Sequence, residues 1–157
     1  MKMIKLFLVS VFFIFASTAQ AQVIHRAHAG GPDICESQDN PIGCNANFSL
    51  VALEMANGRI KGQFTDQFGG GDGFHAVIDC LVVDGQDAWV SGWVTSGSLS
   101  DLDLEGFPVW AQVVDMGTSQ NDTPDRISFS FIGSFIPCTE KPQGGTFAVP
   151  QGQVRVE

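Results

Sequence analysis

Two runs of β-forming residues in the segment 73–94, GFHAVIDCLVVDGQDAWVSGWV, flank an Asp84-Gly85 pair. Asp-Gly between alternating apolar runs is a strong local signal for a hairpin, because that pair tolerates the positive φ that tight hairpin turns require. A cysteine, Cys80, lies inside the first run. In an exported chain, a cysteine within a strand suggests a disulfide staple. The segment therefore constrains the fold to β-hairpins before anything else is read.

The same pattern continues along the chain. Phe48 to Met55 is apolar and leads into Asn57-Gly58, which predicts a second tight turn of type I′. Ile60, Gly62, Phe64, Asp66 and Phe68 alternate with Lys61, Gln63, Thr65 and Gln67, the period of a half-buried strand. Gly69 to Gly73 predicts a flexible loop. In the next strand, Phe74, Ala76, Ile78, Cys80 and Val82 are expected on one face, and His75, Val77, Asp79, Leu81 and Val83 on the other. Ala88 to Thr95 returns. Ser96 to Phe107 reads as a polar loop and Val109 to Val114 as a fifth strand. Met116 to Arg126 reads as a longer loop, then Ile127, Phe129 and Phe131 alternate in a sixth strand. Thr146 to Val149 and Gln153 to Val156 are candidates for closing strands. No stretch after the first residues keeps a helical period. Many short strands with tight turns predict an all-β fold, a small antiparallel meander closed as a β-barrel, with a β-sandwich as the alternative.

The first residues follow a different logic. Lys2 and Lys5 precede an apolar run from Leu6 to Ala16, and Ala19-Gln20-Ala21 fits a small-x-small cleavage site. The expected organisation is a signal peptide over 1–21, an irregular arm with a short disulfide loop over 22–45, and an antiparallel β-domain over 46–157. No other apolar run is long enough to span a bilayer, so no transmembrane segment is expected in the mature chain. The product is expected to be secreted or periplasmic.

Export makes the cysteine count informative. Cys35, Cys44, Cys80 and Cys138 all follow the cleavage site. An even number in an oxidising compartment predicts disulfides. Three pairings are possible, and loop length favours Cys35–Cys44 with Cys80–Cys138. No CxxC pair is present to suggest zinc.

Charge narrows the partners. The chain carries 17 Asp and Glu against 8 Lys and Arg. So acidic a domain repels phosphate backbones, and nucleic acid is not expected as a partner. The expected partner is a protein, a glycan or a small molecule outside the cytoplasm, met by a monomer.

Several short motifs resemble a known family. Asn57-Gly58-Arg59-Ile60-Lys61-Gly62 is followed by Asp79-Cys80-Leu81-Val82-Val83-Asp84-Gly85, with Ala88 and Gly92. Val113-Val114-Asp115-Met116-Gly117 and Asp125-Arg126-Ile127-Ser128-Phe129 come next, and the series ends near Cys138. Their order and spacing resemble the small secreted bacterial β-domains that follow choice-of-anchor domains (post-COAP domains). The resemblance covers roughly 48–138. It departs at Met116, where the family usually carries Asn, and the arm with Cys35 and Cys44 lies outside it. It implies a compact exported β-domain and a Cys80–Cys138 bridge. It implies no established activity and carries over no catalytic residue.

Three groups of residues remain as candidate sites. Asp115, Asp122 and Asp125, with Asn121 and Thr123, can supply oxygens to calcium, although Asp and Asn also cap turns. Asp101, Asp103 and Glu105 form a second acidic loop. Trp89, Trp93 and Trp110 fall on strands, and Trp89 and Trp93 share a face. They either fill a core or present a binding surface. The histidines are His25, His28 and His75. If cleavage fell after Gln22, His25 would be the third residue and could complete a square-planar copper site, but the expected cut after Ala21 puts it fourth. The glycine run lacks the helix start and lysine of a phosphate loop. No Gly-x-Ser-x-Gly element marks a nucleophile, so no enzyme is expected.

The first expectation for function is thus an exported, non-enzymatic binding or interaction module that needs no cofactor. The alternative is a carrier that holds a small apolar molecule inside the barrel, walled by Phe64, Phe74, Phe129 and Phe131. A calcium-stabilised structural domain is third.

Overall fold

A computed structural model describes residues 22–32, 46–117, 122–149 and 151–157. Among them the chain forms one antiparallel sheet. Its strands are β1 (Val23–Pro32), β2 (Asn47–Met55), β3 (Ile60–Gly69), β4 (Asp72–Asp84), β5 (Asp87–Leu99), β6 (Leu102–Asp103), β7 (Pro108–Val114), β8 (Arg126–Ser128), β9 (Phe131–Ile132), β10 (Thr146–Ala148) and β11 (Gln153–Val156). The sheet runs β10-β8-β7-β5-β4-β3-β2-β1-β11, with β6 beside β5 and β9 beside β7. It curls into a half-barrel. The all-β, barrel-like expectation therefore holds.

The curl has an inside because the pleat puts alternate residues there. Phe48, Leu50 and Ala52 of β2 meet Phe64 of β3, then Phe74, Ala76 and Ile78 of β4, and Ala88, Val90 and Val94 of β5. Val109, Ala111 and Val113 of β7 complete the layer. Phe64 and Phe74 meet edge to face at 5.2 Å. Asp66 is also buried on this side, and the Ser130 hydroxyl donates to its Oδ2, drawing the β8–β9 connection toward β3.

Several local readings change. In β4, Ile78 pairs with Gly92 but Cys80 pairs with Ser91, so Asp79 is an extra residue without a partner. This bulge reverses the alternation. Leu81 turns into the core and Cys80 turns out, the opposite of the faces expected beyond residue 78. The Asp84-Gly85 hairpin forms, but its two loop residues are Gly85 and Gln86, because Asp84 pairs with Asp87. Gly85 has φ 63°, while Gln86 keeps a negative φ, the pattern of a type II′ turn. At Asn57-Gly58 the loop holds three residues instead of two. Met55 N–H donates to Arg59 O and Gly58 N–H to Met55 O. That is a type I turn closed by a left-handed glycine, and the expected type I′ turn is absent. The glycine run is a hairpin end, since Gly69 still pairs with Asp72.

Residues 23–32, expected as an irregular arm, form β1, which sits between β2 and β11. Ala27 and Ala29 point into the core, while Arg26 and His28 alternate with them. Small inward side chains suit this crowded site, and alanine is not a residue that advertises a strand. Cys35 and Cys44 lie outside the described residues. The sixth strand splits into β8 and β9, and Phe129 between them is exposed. The polar loop after Thr95 is partly a hairpin, with Leu99 opposite Leu102.

Candidate functional site

The outer face of the half-barrel is divided in two by the chain's own C-terminal segment. After β9, residues 133–145 pass over the outside of β5 and β4, and a single turn of 3-10 helix, Cys138–Glu140, anchors the crossing. Cys80, turned outward by the Asp79 bulge, is bonded to Cys138 with Cα atoms 5.9 Å apart. Cys138 is fully buried, and its N–H donates to Ser91 Oγ.

This strap decides the fate of the tryptophans. All three lie on the outer face. Trp110 is 4% exposed and stacks on Phe131, with ring centroids 4.0 Å apart and planes 9° apart. Trp89 is 5% exposed, donates its indole N–H to Pro142 O at 3.0 Å, and lies under the Lys141 ammonium at 5.6 Å. Both therefore hold the strap down. Trp93 is different. It stays 44% exposed and stacks on Phe135, which is 60% exposed, with centroids 5.4 Å apart and planes 19° apart. Of the two readings of the tryptophans, burial applies to Trp89 and Trp110, and exposure to Trp93 alone, beside a phenylalanine.

Strand register places Trp93 at the end of a line of side chains. Trp93 pairs with Val77, Val77 with Gln63, Gln63 with Val51, Val51 with His28, and His28 with Arg155. Directly opposite residues on one face are near neighbours. Val77 and Gln63 are exposed and Val51 is half-buried. Parallel to this row runs a second one, Ser49, Thr65, His75 and Ser96. Thr65 Oγ1 and His75 Nδ1 are 2.9 Å apart, and Thr95 Oγ1 donates to His75 O at 3.1 Å. A shallow groove follows the first row between β2 and β4, lined by Val51, Gln63, Thr65 and Val77 together with the oppositely charged Lys61 and Asp79. Neither row carries an Asp, Glu, Lys or Arg side chain between β2 and β5.

The acidic candidates serve the backbone. Asp125 is 8% exposed; its Oδ1 accepts the Met116 N–H at 2.9 Å and its Oδ2 the Val154 N–H at 2.6 Å. Asp115 Oδ1 accepts the Gly117 N–H at 3.0 Å and Oδ2 the Val156 N–H at 3.1 Å. Asp122 is exposed beside Gly117. Among the described residues no three His, Cys, Asp or Glu side chains group to hold a metal ion. Asp103 accepts the Glu105 N–H at 3.0 Å, an Asx-type turn. His25 and His28 are exposed on β1, and His28 borders a small cleft with Gln153 and Arg155.

The four phenylalanines expected around an interior cavity do not gather. Phe64 and Phe74 fill the core, Phe129 is exposed, and Phe131 lies outside against Trp110. Phe135, Gln63 and Thr65 were not singled out from the sequence. Their grouping depends on hairpin register, which the turns alone determine only once each loop length is known. No described helix is long and apolar enough to cross a membrane.

No family model, no curated protein and no solved structure matches this chain.

Proposed function

We propose that this chain is an exported, non-enzymatic binding module that presents the outer face of β2–β5, with Trp93 and Phe135 at its end, to a partner outside the cytoplasm. The observation that carries this reading is the exposed Trp93–Phe135 stack. Large aromatics held flat in water lose contacts they could have buried, and such patches mark interaction sites. The stack is also rigid. Trp93 stands on a paired strand, and Phe135 lies three residues from the buried, disulfide-bonded Cys138. A platform so fixed gives up little entropy on binding.

Export is supported by the signal-peptide pattern, the cysteine count and the Cys80–Cys138 bridge. The resemblance to post-COAP domains supports the same reading. A carrier is less well supported, because the inward phenylalanines pack on one another.

The test is partition between medium and cell-derived material. Wild-type protein added to washed producing cells and their extracellular polymer should sediment with them. A Trp93→Ala/Phe135→Ala variant, shown by its melting curve to be folded at the assay temperature, should stay in solution. Equal sedimentation of the two proteins would overturn the proposed face.

A further inference from the structure

We infer that the face carrying Trp93 is a track for a neutral oligosaccharide, laid across β2–β5 with a sugar ring against the Trp93–Phe135 platform. This inference rests on the binding-module reading above and names the ligand class.

Three observations favour a sugar. First, the platform suits the CH face of a ring. The two rings stack with their planes within 19°, so each covers part of one face of the other, and the surface left to solvent, 44% of Trp93 and 60% of Phe135, includes flat ring area for a sugar to lie on. Aromatic side chains offer a flat apolar surface and keep little rotamer freedom to lose. Second, the apolar stripe is one residue wide and bordered by hydrogen-bonding groups. Gln63 interrupts it between Val51 and Val77, and Ser49, Thr65, His75 and Ser96 run beside it. The Thr65–His75 contact holds the imidazole in place, so its second nitrogen is set for a ligand hydroxyl. A protein partner buries a broader apolar centre with polar groups pushed to the rim. Third, charge complementarity points to a neutral ligand. Neither row holds an Asp, Glu, Lys or Arg between β2 and β5, the Lys61 and Asp79 that line the groove carry opposite charges, and the chain as a whole has a formal net charge of -9. A polyanion approaching this surface meets repulsion with no local cation cluster to offset it.

The dimensions require a chain and not a single sugar. Val51 to Trp93 spans three strand spacings, about 14 Å at ~4.8 Å each. An oligosaccharide crossing the strands would meet Trp93, Val77, Gln63 and Val51 in turn.

The experiment is a titration of the ¹⁵N-labelled mature protein with cellohexaose, mannohexaose, maltohexaose and, separately, polygalacturonate. The readouts are the Trp93 indole N–H and the His75 ring resonances. At least one neutral hexaose should move both, with Trp89 and Trp110 indoles still. Trp93→Ala should abolish that binding. Gln63→Ala should weaken it about 2- to 10-fold, the effect of one hydrogen bond. If no neutral saccharide moves the Trp93 signal, the saccharide track is overturned, while sedimentation that still depends on Trp93 leaves the binding face standing with a protein partner. If polygalacturonate binds more tightly than every neutral hexaose, neutrality is overturned. If sedimentation is also indifferent to Trp93 and Phe135, the binding-face reading falls with it.

Discussion

Asp125 Oδ2 accepts the Val154 N–H at 2.6 Å, at the side of β11 that faces away from β1. Asp115 does the same for Val156 two residues on. A strand edge normally needs another strand to take its N–H groups. Here two carboxylates from either end of the β7–β8 connection take that place, and the two ends of the curled sheet are joined by side chains.

Removing that acceptor should be costly. Asp125→Ala leaves the buried N–H of Val154 and the part-buried N–H of Met116 without their carboxylate. Stability should fall by roughly 3 kcal/mol. Asp125→Asn keeps one acceptor oxygen and should lose about half as much. Urea unfolding with an unchanged m-value measures both, and the Val154 amide should exchange faster in each variant. A loss under about 0.5 kcal/mol for Asp125→Ala would remove the carboxylate from the seam's energetics.

The Cys80–Cys138 bridge closes a long segment, with a sequence separation of 58. Replacing both cysteines by serine should cost about 4 kcal/mol in the chain-entropy account. Because the bridge also anchors the strap over Trp89 and Trp110, the double variant should show red-shifted tryptophan emission well below its melting point. Emission identical to that of the wild type would mean that aromatic packing alone holds the strap.

The tryptophans should separate cleanly. Trp110→Ala removes a ring buried between β7 and Phe131 and should cost about 3–5 kcal/mol. Trp93→Ala gives up chiefly its stack on Phe135 and should cost less than about 1.5 kcal/mol. Thermal melts of the two variants measure the gap, and similar losses would argue that Trp93 is structural.

Much of this arrangement could be read from residue order, and the reasons differ where it could not. The hairpins were legible because Asn-Gly and Asp-Gly are local signals that act within a few residues. The faces of β4 were legible only as far as Ile78. Nothing in Ile78-Asp79-Cys80 announces that Asp79 will be left out of the ladder, since the bulge depends on the partner strand. Gly92 is that partner's contribution. A Cβ there would stand 2.0 Å from Val77 O, so β4 and β5 meet closely where the register shifts. The acidic loop was visible as a cluster of oxygens, but its ligands are backbone N–H groups on β11, which pairing at long range brings near. Phe135 was invisible as a surface residue because an isolated phenylalanine among Ser134 and Ile136 reads as core.

Gly92→Ala follows directly. The added methyl has no room against Val77 O, and the strands must part. We expect a loss of about 1–3 kcal/mol, the range for overpacked interiors. Chemical denaturation measures it, and a neutral result would show that β4 and β5 can separate at the bulge without penalty.

The exposed ion pair should matter little. Lys141 Nζ sits 2.6 Å from Asp84 Oδ2, with side chains 42% and 63% exposed. Asp84→Asn should change stability by no more than about 1 kcal/mol, and less in high salt. A larger effect in a salt-dependent melt would mean that Lys141 positions the strap over Trp89.

The place of β1 bears on the order in which the molecule can be completed. Ala27 pairs with Val156, so β1 waits for a strand far along the chain. A hairpin with β2 can form early, but the opposite edge of β1 stays open until β11 arrives. Contacts of that sequence separation are slow to form, and an open edge is a template for pairing with another chain. Until β11 docks, that edge of β1 is therefore the place where a partly folded chain is most open to pairing with a second copy, and seating β11 is the step that removes the hazard.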